Sequence, residues 1–152
     1  MRLAMSMPLA VWSPRKTIAD KKIITNLNVY RNLHSRVANE CKILYKEEVR
    51  KRVMARAFPP FTEEVQVTFQ YFKPTKRISD KSNVDSVHRK YFYDALVELG
   101  ILVDDNDDYI KEELMLPTVL DRDNPRVDFI MGPNLFTIKR IDDAEDRHER
   151  SN

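Results

Sequence analysis

The chain of 152 residues is expected to fold as a single α+β domain, a small mixed sheet packed against one long and one shorter helix. Three observations lead there. Apolar residues recur at steps of three and four over residues 32–57, they alternate with polar ones over residues 64–72, and a second helical repeat stops at Gly100. The first and last patterns have the helical period and the middle one the period of a half-buried strand.

The elements follow in order. Arg2–Val11 alternates loosely and reads as a strand closed by Ser13-Pro14. The polar stretch Arg15–Asn28 reads as a loop. From Asn32 to Ala57, Leu33, Val37, Cys41, Leu44, Tyr45, Val49 and Val53 form one face of a long amphipathic helix. Its other faces carry Arg36, Lys42, Lys46, Arg50, Lys51, Arg52 and Arg56, and Phe58-Pro59-Pro60 ends it. Glu64–Phe72 places Val65, Val67, Phe69 and Tyr71 on one side and Glu64, Gln66, Thr68 and Gln70 on the other, a half-buried strand. The basic turn Lys73-Pro74-Thr75-Lys76-Arg77 leads into Asp80. A second helix over Val84–Leu99 turns Val84, Val87, Tyr91, Ala95 and Leu99 inward, with Gly100 as its C-cap. Later strands are expected at Tyr109–Leu116, Arg126–Met131 and Leu135–Ile141, with Gly132-Pro133-Asn134 as the turn between the last two. No linker divides residues 1–141, and the charged, apolar-poor residues 142–152 read as a frayed tail.

Composition narrows the function classes. One cysteine excludes an intrachain disulfide, and three scattered histidines argue against zinc. Cys41 falls on the apolar helix face and reads as a buried thiol, which suits a reducing compartment. The opening Met1–Val11 is too short and interrupted for a signal peptide's apolar region, and no later run is long enough to span a bilayer. A soluble cytoplasmic protein without membrane contact is the expectation. The net charge of +2 conceals an asymmetry: residues 1–90 hold 19 Lys/Arg against 8 Asp/Glu, and residues 91–152 hold 7 against 16. A basic half offers contacts to phosphates and an acidic half offers metal ligands, as a protein that performs metal chemistry on nucleic acid would require.

The acidic cluster Asp104-Asp105-Asn106-Asp107-Asp108 directly follows the apolar run Ile101-Leu102-Val103. Crowded carboxylates repel one another unless a cation sits among them, and Mg²⁺ is the common hard cation for oxygen-only sites. Asp104-x-Asn106-x-Asp108 imitates the start of an EF-hand loop, but Tyr109 occupies the glycine position and Met115 that of the bidentate Glu. There is no P-loop and no glycine-rich nucleotide loop.

In order, residues 80–105 read Asp80-x-Ser82-Asn83, then Lys90-x-x-x-Asp94-Ala95-Leu96-x-x-x-Gly100-x-x-x-Asp104-Asp105. This pattern resembles the RusA family of Holliday junction resolvases, whose signature is Asp-x-Asp-Asn, a Lys four residues before Asp-Ala-Leu, and a Gly four residues before an Asp-Asp pair. Asn26–Arg31 is similar to the family's Asn/Tyr/Arg-bearing segment after its first strand, and the strand Val65–Phe72 with its basic turn also fits. The resemblance implies a RusA-like domain and a homodimeric endodeoxyribonuclease that uses Mg²⁺, with Mn²⁺ as a possible substitute. Such an enzyme binds a four-way DNA junction and nicks two opposed strands symmetrically, in bacterial cytoplasm or in that of a phage host. It implies Asp80, Lys90 and Asp105 as catalytic residues and Asp80, Asp104 and Asp105 as metal ligands.

Ser82 stands where the family has its second acid. Asp85, Asp107 or Asp108 could replace that carboxylate, or Ser82 caps the helix with Asp85 completing a capping-box-like arrangement. If nothing replaces it, the chain would be a catalytically weakened junction-binding, DNA-architectural protein. Independently of any family, carboxylate-held Mg²⁺ can activate water and relieve charge on a leaving oxygen, and a lysine can stabilise the charged phosphate. Lys90 could equally be a solvated lysine paired with Asp94 at i+4. Asp80 precedes the helix and Asp105 follows it, so they share a metal only if the chain folds back after Gly100 or if a second subunit supplies one acid. Lys73, Lys76, Arg77 and Lys81 are the expected phosphate contacts, with the stripe Lys42, Lys46 and Arg50 as further candidates.

Overall fold

The computed structural model of the chain describes residues 2–16, 18–55, 58–77 and 81–133. Its elements in order are β1 (Leu3–Pro8), β2 (Ala10–Ser13), β3 (Lys21–Ile24), α1 (Leu27–Asn32), α2 (Ser35–Met54), β4 (Val65–Lys73), α3 (Lys81–Glu98), β5 (Ile110–Met115), β6 (Val119–Leu120) and β7 (Arg126–Pro133). This is the α+β class that the periodicities predict. The expected strand Leu135–Ile141 and the tail 142–152 lie outside the described residues.

The main sheet runs β1-β7-β4-β5, with β6 also pairing β4, while β2 and β3 form a separate hairpin. β7 is antiparallel to both β1 and β4. β4 and β5 are parallel, so a crossover must connect them, and α3 is that crossover. β4 buries Val65, Val67, Phe69 and Tyr71 on the face opposite its polar residues. On this face Phe92 of α3 stacks on Phe129 of β7, with ring centroids 3.9 Å apart, and Phe69 meets Phe129 edge-on. α2 buries Cys41, Tyr45, Val49 and Val53, four of the positions expected to face inward.

Five expectations are corrected. The first strand is broken at Leu9, so that β1 joins the main sheet and Ala10–Ser13 joins β3. The expected loop 15–28 contains β3 and the start of α1; Asn26 caps α1 by accepting a hydrogen bond from Val29 N at 2.9 Å. Gly132 and Pro133 do not turn but extend β7, opposite Gln66 and Val65. α3 begins at Lys81, so Ser82 lies within its first turn instead of capping it, and its carbonyl accepts from Ser86 Oγ at 2.7 Å. Finally, α3 buries His88, Phe92, Tyr93 and Leu96 as well as Val87, Tyr91 and Ala95, because both the sheet and α2 pack against it.

A buried polar contact locks these layers together. His88 is fully buried; its Nδ1 lies 2.9 Å from Tyr45 Oη and its Nε2 2.8 Å from Thr25 Oγ1. Thr25 Oγ1 also donates to the Leu9 carbonyl at 2.7 Å. α3, α2 and the segment after β3 thus share one hydrogen-bond network. Burial pushes the imidazole down to about 3, so His88 is a neutral ring satisfied on both nitrogens.

Candidate functional site

Gly100 sets the local geometry. Its φ of +73° is the left-handed conformation that glycine adopts without steric cost. Ile101 N and Leu102 N both donate back to the Leu96 carbonyl, at 2.9 and 3.2 Å, closing the helix end. Ile101 and Leu102 are then buried against the core, and the chain returns toward β5. The acidic residues that follow are exposed on this return.

The charge of Asp94 on α3 acts on Asp105. Partial burial, the Asp104 carboxylate and the charge of Asp94 raise the Asp105 carboxyl above its ordinary range. Asp104 shapes the loop: Oδ1 accepts from Asp105 N at 2.7 Å and Oδ2 from Asn106 Nδ2 at 3.1 Å. Asn106 Oδ1 accepts from Asp108 N at 2.9 Å. The chain does turn back after Gly100, toward the C-terminal half of α3 and not toward its start. It brings Asp105 to the C-terminal half of α3, about 20 Å of helix axis from Lys81.

Lys90 lies one turn before Asp94 and takes a different partner from the one its spacing predicts. Its Nζ donates to Tyr30 Oη at 3.3 Å and stands 5.5 Å from the Tyr30 ring centre. Asp94 instead faces Lys42 at 3.6 Å. α1 supplies Tyr30, so the Asn26–Arg31 segment contributes to the surroundings of Lys90 through a helix too short for periodicity to disclose.

A second group occupies the flank of α3 that faces β5. Glu113 accepts from Arg89 Nη1 at 2.9 Å and from Tyr93 Oη at 2.5 Å. Arg89 Nη2 also lies 3.9 Å from Asp85 Oδ2. Asp85 Oδ1 is buried and has no hydrogen-bond partner among the described residues. Burial is the largest cause that raises the Asp85 carboxyl, Arg89 and Lys81 oppose it, and Glu113 adds to it. An orphaned carboxylate oxygen beside a second carboxylate suits a hard divalent cation. Among the described residues, however, no group of three or more His, Cys, Asp or Glu is gathered closely enough to hold a metal. Asp80 lies outside the described residues.

The expected phosphate contacts differ from the helix stripe in their surroundings. Lys76, Arg77 and Lys81 are exposed and Lys73 is half-buried, and none is in an ion pair among the described residues. The stripe on α2 is occupied: Lys42 and Lys46 reach Glu98 at 3.4 and 2.9 Å, and Arg50 holds Glu47 at 2.6 Å. Its charge is largely answered within the domain. Residues that sequence reading passed over are Glu113, Arg89 and His88, whose roles depend on a β5–α3 contact and a three-layer network with no local signature.

No helix among the described residues is long and apolar enough to cross a membrane. In comparison with known proteins, the chain matches no family model and no curated protein.

Proposed function

We propose that this chain is a Mg²⁺-dependent, structure-specific endodeoxyribonuclease of the RusA type. It resolves four-way DNA junctions by symmetric paired nicking, working as a cytoplasmic homodimer. The observation that carries this reading is the return of the chain at Gly100, after which the charge of Asp94, one helical turn from Lys90, acts on the Asp105 carboxyl. This supports a shared region for the lysine and acid of the motif, which 15 positions separate in the sequence. Lys73, Lys76, Arg77 and Lys81, which form no ion pair among the described residues, support phosphate binding at the other end of the same helix.

Asp80, Asp104 and Asp105 would hold the metal, and the orphaned Asp85 Oδ1 makes Asp85 the best replacement for the acid missing at Ser82. When bound, Mg²⁺ supplies an activated water and offsets charge on the phosphate oxygens. Lys90 provides a cation that the Tyr30 hydroxyl orients without neutralising, fit for a phosphate that gains charge as it reacts. Because α3 separates Lys81 from Asp94 by about 20 Å, a site uniting Asp80 and Asp105 draws them from two subunits. A two-fold dimer then presents two equivalent sites, as symmetric nicking requires.

The test is incubation of purified protein with a labelled synthetic four-way junction, with Mg²⁺ and with EDTA, beside an Asp105→Asn control. Paired symmetric nicks that need Mg²⁺ and vanish in the variant are expected. Tight junction binding without nicks under Mg²⁺ or Mn²⁺ would instead identify a junction-binding protein that has lost catalysis.

A further inference from the structure

At the N-terminal end of α3 lies a half-open cavity of about 440 Å³, walled by the β2–β3 hairpin, the end of β4 and the first turn of α3. Trp12, Lys22 and Ile24 line one side, Tyr71 and Pro74 another, and Val84 a third. The hairpin register explains the first wall. Trp12 pairs with Lys22 and Ala10 with Ile24, so these side chains share the face opposite the buried Val11 and Ile23. Trp12 is 55 % and Ile24 44 % exposed, which leaves a flat apolar surface uncovered at the cavity mouth. The volume lies within the range of about 300–1,000 Å³ found for small-molecule sites, enough for a base and its sugar.

Charge selects the occupant. Among the described residues, no Asp or Glu lines the cavity. Lys22 Nζ stands 5.8 Å from the Trp12 ring centre, and exposed Lys76 and Arg77 follow Pro74 in the chain. A half-exposed aromatic ring with apolar walls and a cationic rim fits a nucleic acid base on the ring and the neighbouring phosphates on the rim.

We propose that this cavity receives an unpaired, unstacked nucleobase of a DNA strand, which stacks on Trp12 while Lys22 and the basic turn hold its flanking phosphates. The inference rests on the reading of the chain as a nuclease of branched DNA, because bases at an opened branch point have lost their stacking neighbours. It adds a base-accepting subsite to a protein otherwise expected to contact only the DNA backbone.

Trp12 is the single tryptophan, so its emission reports on the cavity directly. The full-length protein, in EDTA to prevent cleavage, is titrated with three end-labelled DNAs of equal length: a single strand, the same backbone built of abasic sugars, and a blunt duplex. Label anisotropy follows binding, and tryptophan emission follows stacking. At saturation the base-bearing single strand should quench Trp12, whereas the abasic strand and the duplex bind without quenching. Trp12→Ala should weaken single-strand binding by about tenfold and leave duplex binding unchanged, and Trp12→Phe should restore it. Saturation without quenching, or equal quenching by the abasic strand or the duplex, overturns the subsite and leaves the nuclease reading standing. Failure to bind any of the three DNAs overturns both.

Discussion

Lys90 Nζ donates a hydrogen bond to Tyr30 Oη at 3.3 Å, joining the lysine of the α3 motif to the short helix after β3. A neutral hydroxyl orients the ammonium without cancelling its charge, as an ion pair with Asp94 would do. Lys90→Ala should lower junction cleavage by roughly 100-fold or more, in line with the loss of a transition-state donor. Tyr30→Phe keeps the ring under Lys90 and removes only the acceptor, so about a fivefold loss is expected. Both variants should melt close to the parent, since Lys90 is exposed; single-turnover cleavage rates and thermal melts check this.

The separation of the two ends of α3 makes a prediction about subunits. Asp80→Asn and Asp105→Asn homodimers should each be inactive on a junction. Mixed by denaturation and refolding, they should form a heterodimer with one intact composite site and produce a single nick. If each subunit held a complete site, the mixture would remain inactive. Gel analysis of strand-specific labels distinguishes the two outcomes.

His88 should make stability depend on pH. Its buried ring is neutral down to about 3, whereas in the unfolded chain it takes a proton near 6.5. Below pH 6.5 the unfolded state therefore binds more protons, so the full stability is present above that pH and declines as pH falls. The expected slope from this group is about 1.4 kcal/mol per pH unit. Urea unfolding between pH 6.5 and 5 should show it in the parent and not in His88→Gln.

DNA affinity should divide the lysines and arginines into two groups. Replacing Lys76 and Arg77 together by Ala should weaken binding to junctions of any sequence and lower the salt slope by about two units, one per lost phosphate contact. Replacing Lys42 and Lys46 should do neither, because Asp94 and Glu98 already hold them. Titrations at several salt concentrations provide the measurement.

Gly100→Ala isolates backbone strain. A Cβ at this position would meet nothing within 4 Å, so the cost comes only from the positive φ, about 1–2 kcal/mol. The loss should appear in chemical denaturation, and Gly100→Asn should recover part of it.

The expectations held best where burial is one-sided and continuous. β4 was readable to within a residue because its alternating apolar side chains meet a helix layer, and α2 because four of its apolar positions fill one seam. β3 was hidden because only Ile23 of its four residues is buried, too little for an alternating pattern. α1 spans six residues, under two turns, and owes its start to the Asn26 cap. Gly132 and Pro133 carry turn chemistry locally, yet pairing with β4 extends them. At the candidate site, sequence spacing singled out Lys90, Asp94 and Asp105 by their positions along the chain. It could not reveal that Tyr30 would take Lys90, that Lys42 would take Asp94, or that Asp85 would keep a buried oxygen without a partner. Each of these depends on which helix faces which, and that is decided by the packing of α1, α2 and β5 around α3.

The order of the sheet has a consequence for synthesis. Among the described residues β1 pairs only with β7 in the sheet, Leu3 opposite Met131, so the first strand to leave the ribosome waits for nearly the last described one. β7 is also the bridge between β1 and β4. A nascent chain that stalls before Arg126 therefore carries two apolar strands with open edges and nothing between them, a natural substrate for chaperones and for misassociation with its neighbours on the same messenger. Completion of this domain is a closing event made by its C-terminal part, and premature termination would leave an unclosed sheet in place of a shortened but folded protein.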